Sequence, residues 1–297
     1  MTVPDTLNAK QTAALKELIV KIQADPDSFF EWTNCSAERD HVLRFLDAKS
    51  YHVEDAYGKL KTYHEFVKKE CPKEFPYETL KDELATGKVY LLQPDLEGNQ
   101  CILVMAKEHR AGQFPRKQTM QLTSSLFLSL IAAMDNPILN NGDRVTVIVD
   151  LKGFGFSNKD DGILKDAGAI VSKYFPNRIR RMVILNAGFI VNTMWMAIRP
   201  LIPSRYLDLI QFLRQPKDLT KICPKNDLPI TYGGIIVPNW EQWLDGTNNA
   251  LRTSPVLNIH KFCRRAQGEI IPESELDRYE IAAYTDAEFV PEGFALD

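Results

Sequence analysis

Two apolar runs limit what this chain can fold into. "VTVIVD" (145–150) and "RRMVILNA" (180–187) hold β-branched and aliphatic residues at successive positions instead of every second one. A strand that is apolar on both faces belongs in the middle of a sheet covered on both sides, which is the habit of parallel α/β sheets. "GILKDAGAIVSKYF" (162–175) lies between the two runs and has helical spacing, and the helix-like "RKQTMQLTSSLFLSLIAAMD" (116–135) precedes the first. Alternating helices and buried strands imply an α/β domain with right-handed crossovers. Upstream, "KVYLLQPDLEGNQCILVMAKE" (88–108) predicts two strands around a turn, with Gly98 supplying the reversal.

The first 75 residues read differently. Ala14, Leu15, Leu18, Ile19 and Ile22 fall on one helical face. Two further helices follow, one with Ser36 as its N-cap and one running from near Val53 to before Pro72. The organisation expected is a helical N-terminal subdomain over 1–75, an α/β domain over 80–238 and an acidic C-terminal extension over 239–297. In that extension nine acidic residues face one arginine between Gly268 and Asp297, the pattern of a surface-hugging or partly disordered tail.

Motifs for chemistry are missing from the sequence. There is no G-x-x-x-x-G-K-[ST] phosphate loop and no G-x-S-x-G elbow, and "GFGFSN" (153–158) lacks the third glycine of a dinucleotide fingerprint. The five histidines show no metal spacing, and Asp150 has no partner acid, base or nucleophile near it in sequence. Five scattered cysteines suit free thiols better than a disulfide framework. The expectation is a non-enzyme with no cofactor and no metal. A net charge of −3 excludes a uniformly basic nucleic-acid binder. No secretory signal and no run of 18 uninterrupted apolar residues is seen, so a cytoplasmic protein without a membrane span is expected.

One segment does not fit a plain soluble domain. "FPNRIRRMVILNAGFIVNTMWMAIRPLIP" (175–203) leads from an arginine cluster into a helix-like stretch from about Gly188 to Ile198, apolar around most of its circumference. It is too short to cross a bilayer. Between Val171 and Lys225 there are ten basic residues and two acidic ones, Asp208 and Asp218. An apolar helix beside a local excess of positive charge suits an anionic membrane surface, and a core helix with solubilising arginines is the alternative.

"RFLDAKSYHVEDA" (44–56), "VIVDLKGF" (147–154), "YFPNRIRRMVILNAGFI" (174–190), "IRPLIP" (198–203) and "LPITYGG" (228–234), in this order, resemble the CRAL-TRIO lipid-transfer family over roughly residues 10–238. The resemblance implies an α/β sheet flooring a closed apolar cavity, a lid over about 186–209, and no catalysis. Phosphatidylinositol-transferring members carry YPE where Phe175, Pro176 and Asn177 stand. Their lysine after the lid falls on Leu209, and their basic pair falls on Lys49 and Ser50. The chain resembles instead the branch of alpha-tocopherol transfer protein and cellular retinaldehyde-binding protein.

That branch implies uptake of one isoprenoid-like molecule, such as a tocopherol, retinoid or carotenoid, and its release at phosphoinositide-containing membranes. The basic positions that bind a phosphoinositide there fall on Lys49, Arg178, Arg180 and Arg205. Expected cavity residues are Leu126, Leu130, Val147, Val149, Ile184, Phe189, Val191 and Met194, with Thr123, Ser124 or Ser125 as a polar anchor. A monomer in transient, peripheral contact with membranes follows from this reading. The alternative is a phosphoinositide-sensing adaptor holding a structural lipid, whose acidic tail recruits a partner.

Overall fold

The computed structural model describes residues 7–25, 38–70, 77–134, 144–188, 195–196, 199, 204–238, 264–265 and 268–270. Four helices come first: α1 (Ala9–Gln23), α2 (Glu38–Asp47), α3 (Val53–Glu70) and α4 (Tyr77–Ala85). Asn8 starts α1 with a capping box, its Oδ1 accepting from the Gln11 backbone amide at 2.9 Å while Gln11 Oε1 accepts from the Asn8 backbone amide at 3.0 Å. The sequence reading did not include α4, and Ser36 lies outside the described residues.

A mainly parallel sheet follows. The strands β1 (Val89–Leu92) and β2 (Gln100–Met105) form the expected hairpin, with Gly98 at φ +82°. Next come α5 (Arg116–Met134), β3 (Val145–Asp150), α6 (Asp161–Tyr174), β4 (Ile179–Leu185), the short α7 (Ser204–Leu207) and β5 (Ile210–Phe212). β2, β3, β4 and β5 are successive parallel neighbours. β6 (Ile236–Pro238) stands apart. Two short strands of the C-terminal extension dock onto the fold: β7 (Arg264–Arg265) pairs with β1, and β8 (Gly268–Ile270) pairs with β6. The six-stranded order is β5-β4-β3-β2-β1-β7.

The core is continuous between the helices and the sheet. Leu18, Leu43, Leu46, Leu60, Leu80, Leu122 and Leu130 share one buried cluster with Ile102 and Val145. The N-terminal helices are therefore a cap that shares its core with the sheet, and each fully buried leucine adds about 2 kcal/mol of apolar burial. On the opposite face Leu103, Ile148, Val183 and Leu185 pack against Leu219, Ile222, Leu228 and Tyr232 of the turns that follow β5. Cys101 and Cys223, far apart in sequence, are buried free thiols on this face with their Sγ atoms 3.9 Å apart. The Cys223 hydrogen bond, then burial, pushes the Cys101 thiol well above its ordinary range, which suppresses thiolate chemistry.

Candidate functional site

The sheet does not meet one expectation, and the departure marks the candidate site. β3 was expected to be buried on both faces. Thr146, Ile148 and Asp150 are buried on one face, whereas Val147 and Val149 on the other are only half-buried. These two valines lie between the helical cluster and a separate small one, where Ile184, Ala187, Ile210 and Phe212 meet Val149, Met182, Trp195 and Leu207. A central strand with half-open valines forms an apolar floor with cover on either side. Trp195 provides part of that cover, its ring 5.3 Å from Phe212 at 77°. Met196 beside it is 70% exposed. The 186–209 segment thus turns one large apolar side chain to the sheet and the next one to solvent.

The other expected cavity residues fall into three groups. Ile184 is on the floor with Val147 and Val149. Leu126 and Leu130 sit in the helical core; Leu130 has no exposed surface, so it borders no water-sized space. Phe189, Val191 and Met194 lie outside the described residues. The candidate polar anchors are partly engaged by their own helix, since Thr123 Oγ1 donates to the Thr119 carbonyl at 3.0 Å and Ser124 Oγ to that of Met120 at 2.9 Å. A separate pocket of about 160 Å³ opens between the 109–116 loop and the start of α6, lined by His109, Arg110, Phe114, Arg116, Asp160 and Ile163. It is too small for an isoprenoid-sized ligand, since such sites span about 300–1,000 Å³.

Asp150 ends the floor strand, its carboxylate turned to the opposite face of the sheet, where it meets Tyr232. This carboxylate is 2% exposed and accepts from Asn186 Nδ2 at 2.6 Å, the Lys152 amide at 2.8 Å and Tyr232 Oη at 2.8 Å. Asn186, in the left-handed region at φ +55°, begins the segment that leaves β4. Asp150, which looked isolated in sequence, therefore joins three parts of the chain.

The opposite end of the sheet gathers the basic residues. β3, β4 and β5 are parallel, so the turn before β4 and α7 before β5 emerge at the same edge. Asn177 Nδ2 donates to Asp47 at 2.7 Å and its carbonyl accepts from Arg44 at 3.2 Å, which brings the turn after α2, with Lys49, to the turn containing Arg178. Met182 donates to the Leu209 carbonyl at 2.7 Å, which brings the α7 region, with Arg205, alongside β4. The four predicted basic positions share this edge but differ in setting. Lys49 is half-buried, and Arg178 is only 4% exposed. Arg180 forks onto Glu97 at 2.5 and 3.0 Å. The side chain of Arg205 lies outside the description.

The positions that differ from the phosphatidylinositol pattern carry structure here. Asn177 takes φ +55° and holds Asp47. Phe175 is 2% exposed and stacks on Phe127 at 5.4 Å. Sequence reasoning missed Glu97, and it counted Arg181 in the arginine cluster without giving it a site role. Among the described residues no helix is long and apolar enough to cross a membrane, and no group of three side chains is placed to hold a metal.

Comparison with known proteins fits this geometry. The chain is 22% identical over 77% of its length to the CRAL-TRIO domain-containing protein C3H8.02 of Schizosaccharomyces pombe, covering 54% of that protein. It is 24% identical over 51% of its length to the phosphatidylinositol transfer protein CSR1 of Eremothecium gossypii, covering 34% of it. The chain thus spans between about a third and about half of these relatives. The crystal structure of Sfh5 shares the fold, with a TM-score of 0.59 at 12% identity over 85% of this chain and 94% of that one. Residues 84–234, just over half of the chain, match the CRAL/TRIO domain, and the chain belongs to that family.

Proposed function

We propose that the protein binds one small hydrophobic ligand of the tocopherol, retinoid or carotenoid class on the apolar floor of the sheet and transfers it to phosphoinositide-containing membranes. The half-open Val147 and Val149 on a central strand carry this reading, because an interior strand exposes apolar surface only where something other than the core covers it. If roughly 400 Å² of ligand surface leaves water, the gross gain is about 10 kcal/mol, from which association and ordering subtract several. A bilayer solvates the ligand equally well, so contact with one permits release. The Lys49, Arg178, Arg180 and Arg205 edge then biases that contact toward anionic surfaces, at about 1 kcal/mol for each basic residue that reaches the surface, which the buried Arg178 does not do directly.

Organic-solvent extraction of the purified protein, with mass and absorbance of the released molecule, tests the ligand class. An isoprenoid at one per chain is the expected result. A phosphoinositide or other phospholipid in its place would favour a second reading, which the name of the Eremothecium relative supports. Val149→Trp, which fills the floor, is expected to lower ligand content at least tenfold while the fold persists.

Replacing Arg180 and Arg205 together by Ala is expected to slow delivery to phosphoinositide vesicles about tenfold and leave ligand content unchanged. Arg178 is kept in this test because it is buried beside His41. Unchanged delivery in a vesicle-transfer assay would remove the basic edge from the mechanism.

A further inference from the structure

Arg180 and Arg181 are adjacent on a strand, so regular pleating would send them to opposite faces. They nevertheless reach the same carboxylate. The β3–β4 ladder shifts register between Val145, paired with Ile179, and Thr146, paired with Arg181, which leaves Arg180 as the extra residue of a bulge. Bulges re-aim side chains, and this one brings two guanidinium groups to a single point. Arg180 donates Nε and Nη2 to the two oxygens of Glu97, and Arg181 donates Nη2 to Glu97 Oε1.

The hairpin tip that carries Glu97 is held firmly. Asp95 accepts from the Glu97 amide at 3.0 Å, the Asn99 amide at 2.8 Å and Thr146 Oγ1 at 2.7 Å, and the Leu96 amide donates to the Ile222 carbonyl at 2.8 Å. Leu96, next to Glu97, is 61% exposed at this tip.

The carboxylate does not satisfy the two arginines. Arg181 is mostly buried, and its Nε is buried with no hydrogen-bond partner among the described residues. Among the described residues Glu97 is the carboxylate in hydrogen-bond contact with the two guanidinium groups, the Asp95 charge acting on Arg180 from further off, and two oxygens face a pair of forks built for more. A phosphate monoester presents three acceptor oxygens and a charge near −2, which fits such a pair. The Glu97 side chain is 45% exposed and has room to leave. The two arginines hold its carboxyl down at about 2, so physiological acid does not release it and only a competing anion does.

We propose that Arg180 and Arg181 form a phosphate site for a phosphorylated lipid head group, and that Glu97 is the resident anion displaced when the protein meets the membrane. The assignment adds Arg181 to the basic edge and gives Glu97 a restraining role, and it rests on the membrane-delivery reading above. Leu96 enters the interface beside the exchanged carboxylate. Membranes without phosphorylated lipid leave the Glu97 contact closed.

Co-sedimentation of the full chain with phosphatidylcholine vesicles, with and without phosphatidylinositol bisphosphate, tests this. Glu97→Gln is expected to bind the phosphoinositide vesicles about fivefold more tightly than wild type, and Arg181→Ala about fivefold more weakly, with neither changed on phosphatidylcholine alone. Glu97→Asp, which keeps the charge but shortens the reach, is expected to show a smaller gain and serves if the glutamine variant melts early. No gain from either Glu97 variant, with Arg180→Ala still weakening binding, would overturn the displaced anion and spare the basic edge. A wild type blind to the phosphoinositide would overturn both. Calorimetry with inorganic phosphate separates the sources: affinity for the free ion equal to that for vesicles would overturn the lipid assignment.

Discussion

Lowering the pH from 7 to 5 is expected to remove about 2 kcal/mol of unfolding free energy through His41 alone. His41 is 7% exposed on α2, its ring 5.1 Å from Phe45 and 5.3 Å from Tyr63, and neither ring nitrogen has a hydrogen-bond partner among the described residues. Burial first, and the charges of Arg178 and Arg44 second, lower its pKa from 6.5 to about 3. The folded pKa lies below the unfolded one, so the unfolded chain takes the proton first as the pH falls. The stabilisation is complete above about 6.5 and drains away between there and about 3. Urea unfolding at the two pH values measures the total loss, to which other titrating groups also contribute. The same pair of measurements on His41→Leu isolates the histidine, and the variant's loss is expected to be smaller by about 2 kcal/mol. Equal losses in the two proteins would mean that His41 is already protonated in the fold.

This histidine illustrates what could be read from the sequence and what could not. Its position on an apolar helical face was visible, and a lone histidine there reads as an ordinary core or solvated residue. The cause of its depressed pKa was not visible, because Arg178 approaches it from the other side of the chain. The same holds across the molecule. "VTVIVD" and "MVILNA" announced parallel strands because β-branched and aliphatic residues follow one another on both faces, and the helix between them had a clear 3.6-residue period. β5 gave only Ile210, Gln211 and Phe212, a three-residue alternation too short to separate from background. The half-open face of β3 was beyond pattern reading, because Val147 and Val149 are chemically the same as the valine that is buried at 145.

The basic edge was legible as a charge count but not as a geometry. Ten cations against two acids between Val171 and Lys225 pointed to the right region. The count could not reveal that Arg178 turns inward, or that Glu97, more than eighty residues earlier, neutralises part of the cluster. Glu97 falls in a hairpin turn, where an acidic residue is ordinary. The register shift opposite Val145 and Thr146, which makes its partners converge, leaves no mark in composition. Local sequence reports which face is apolar and where charge accumulates; long-range pairing decides which charges remain available.

Asp150→Ala is expected to lower stability by about 3 kcal/mol, which for a domain of this size means a Tm lower by about 6–12 °C. The residue sits where β3 ends, 2% exposed, and the substitution strands three donors at once: the Asn186 side-chain amide, the Lys152 backbone amide and the Tyr232 hydroxyl. Each buried donor left without a partner costs about 1–3 kcal/mol, and the Lys152 amide is the one nearest water. Asp150→Asn separates charge from connectivity. Its oxygen can still accept from Asn186 and Lys152, and the Tyr232 hydroxyl can turn to accept from the new amide, so the expected loss is about 1 kcal/mol. Tyr232→Phe removes one donor and leaves the carboxylate two, and its loss is expected to lie between those of the two Asp150 variants. Thermal melts rank the three. Hydrogen exchange at Asn186–Gly188 then shows whether the loss is local to the start of the 186–209 segment, where Asp150→Ala should raise exchange beyond the change in the central strands. If Asp150→Ala melts with the wild type, this carboxylate does not anchor that segment, and the covering of the apolar floor must be held from its other end.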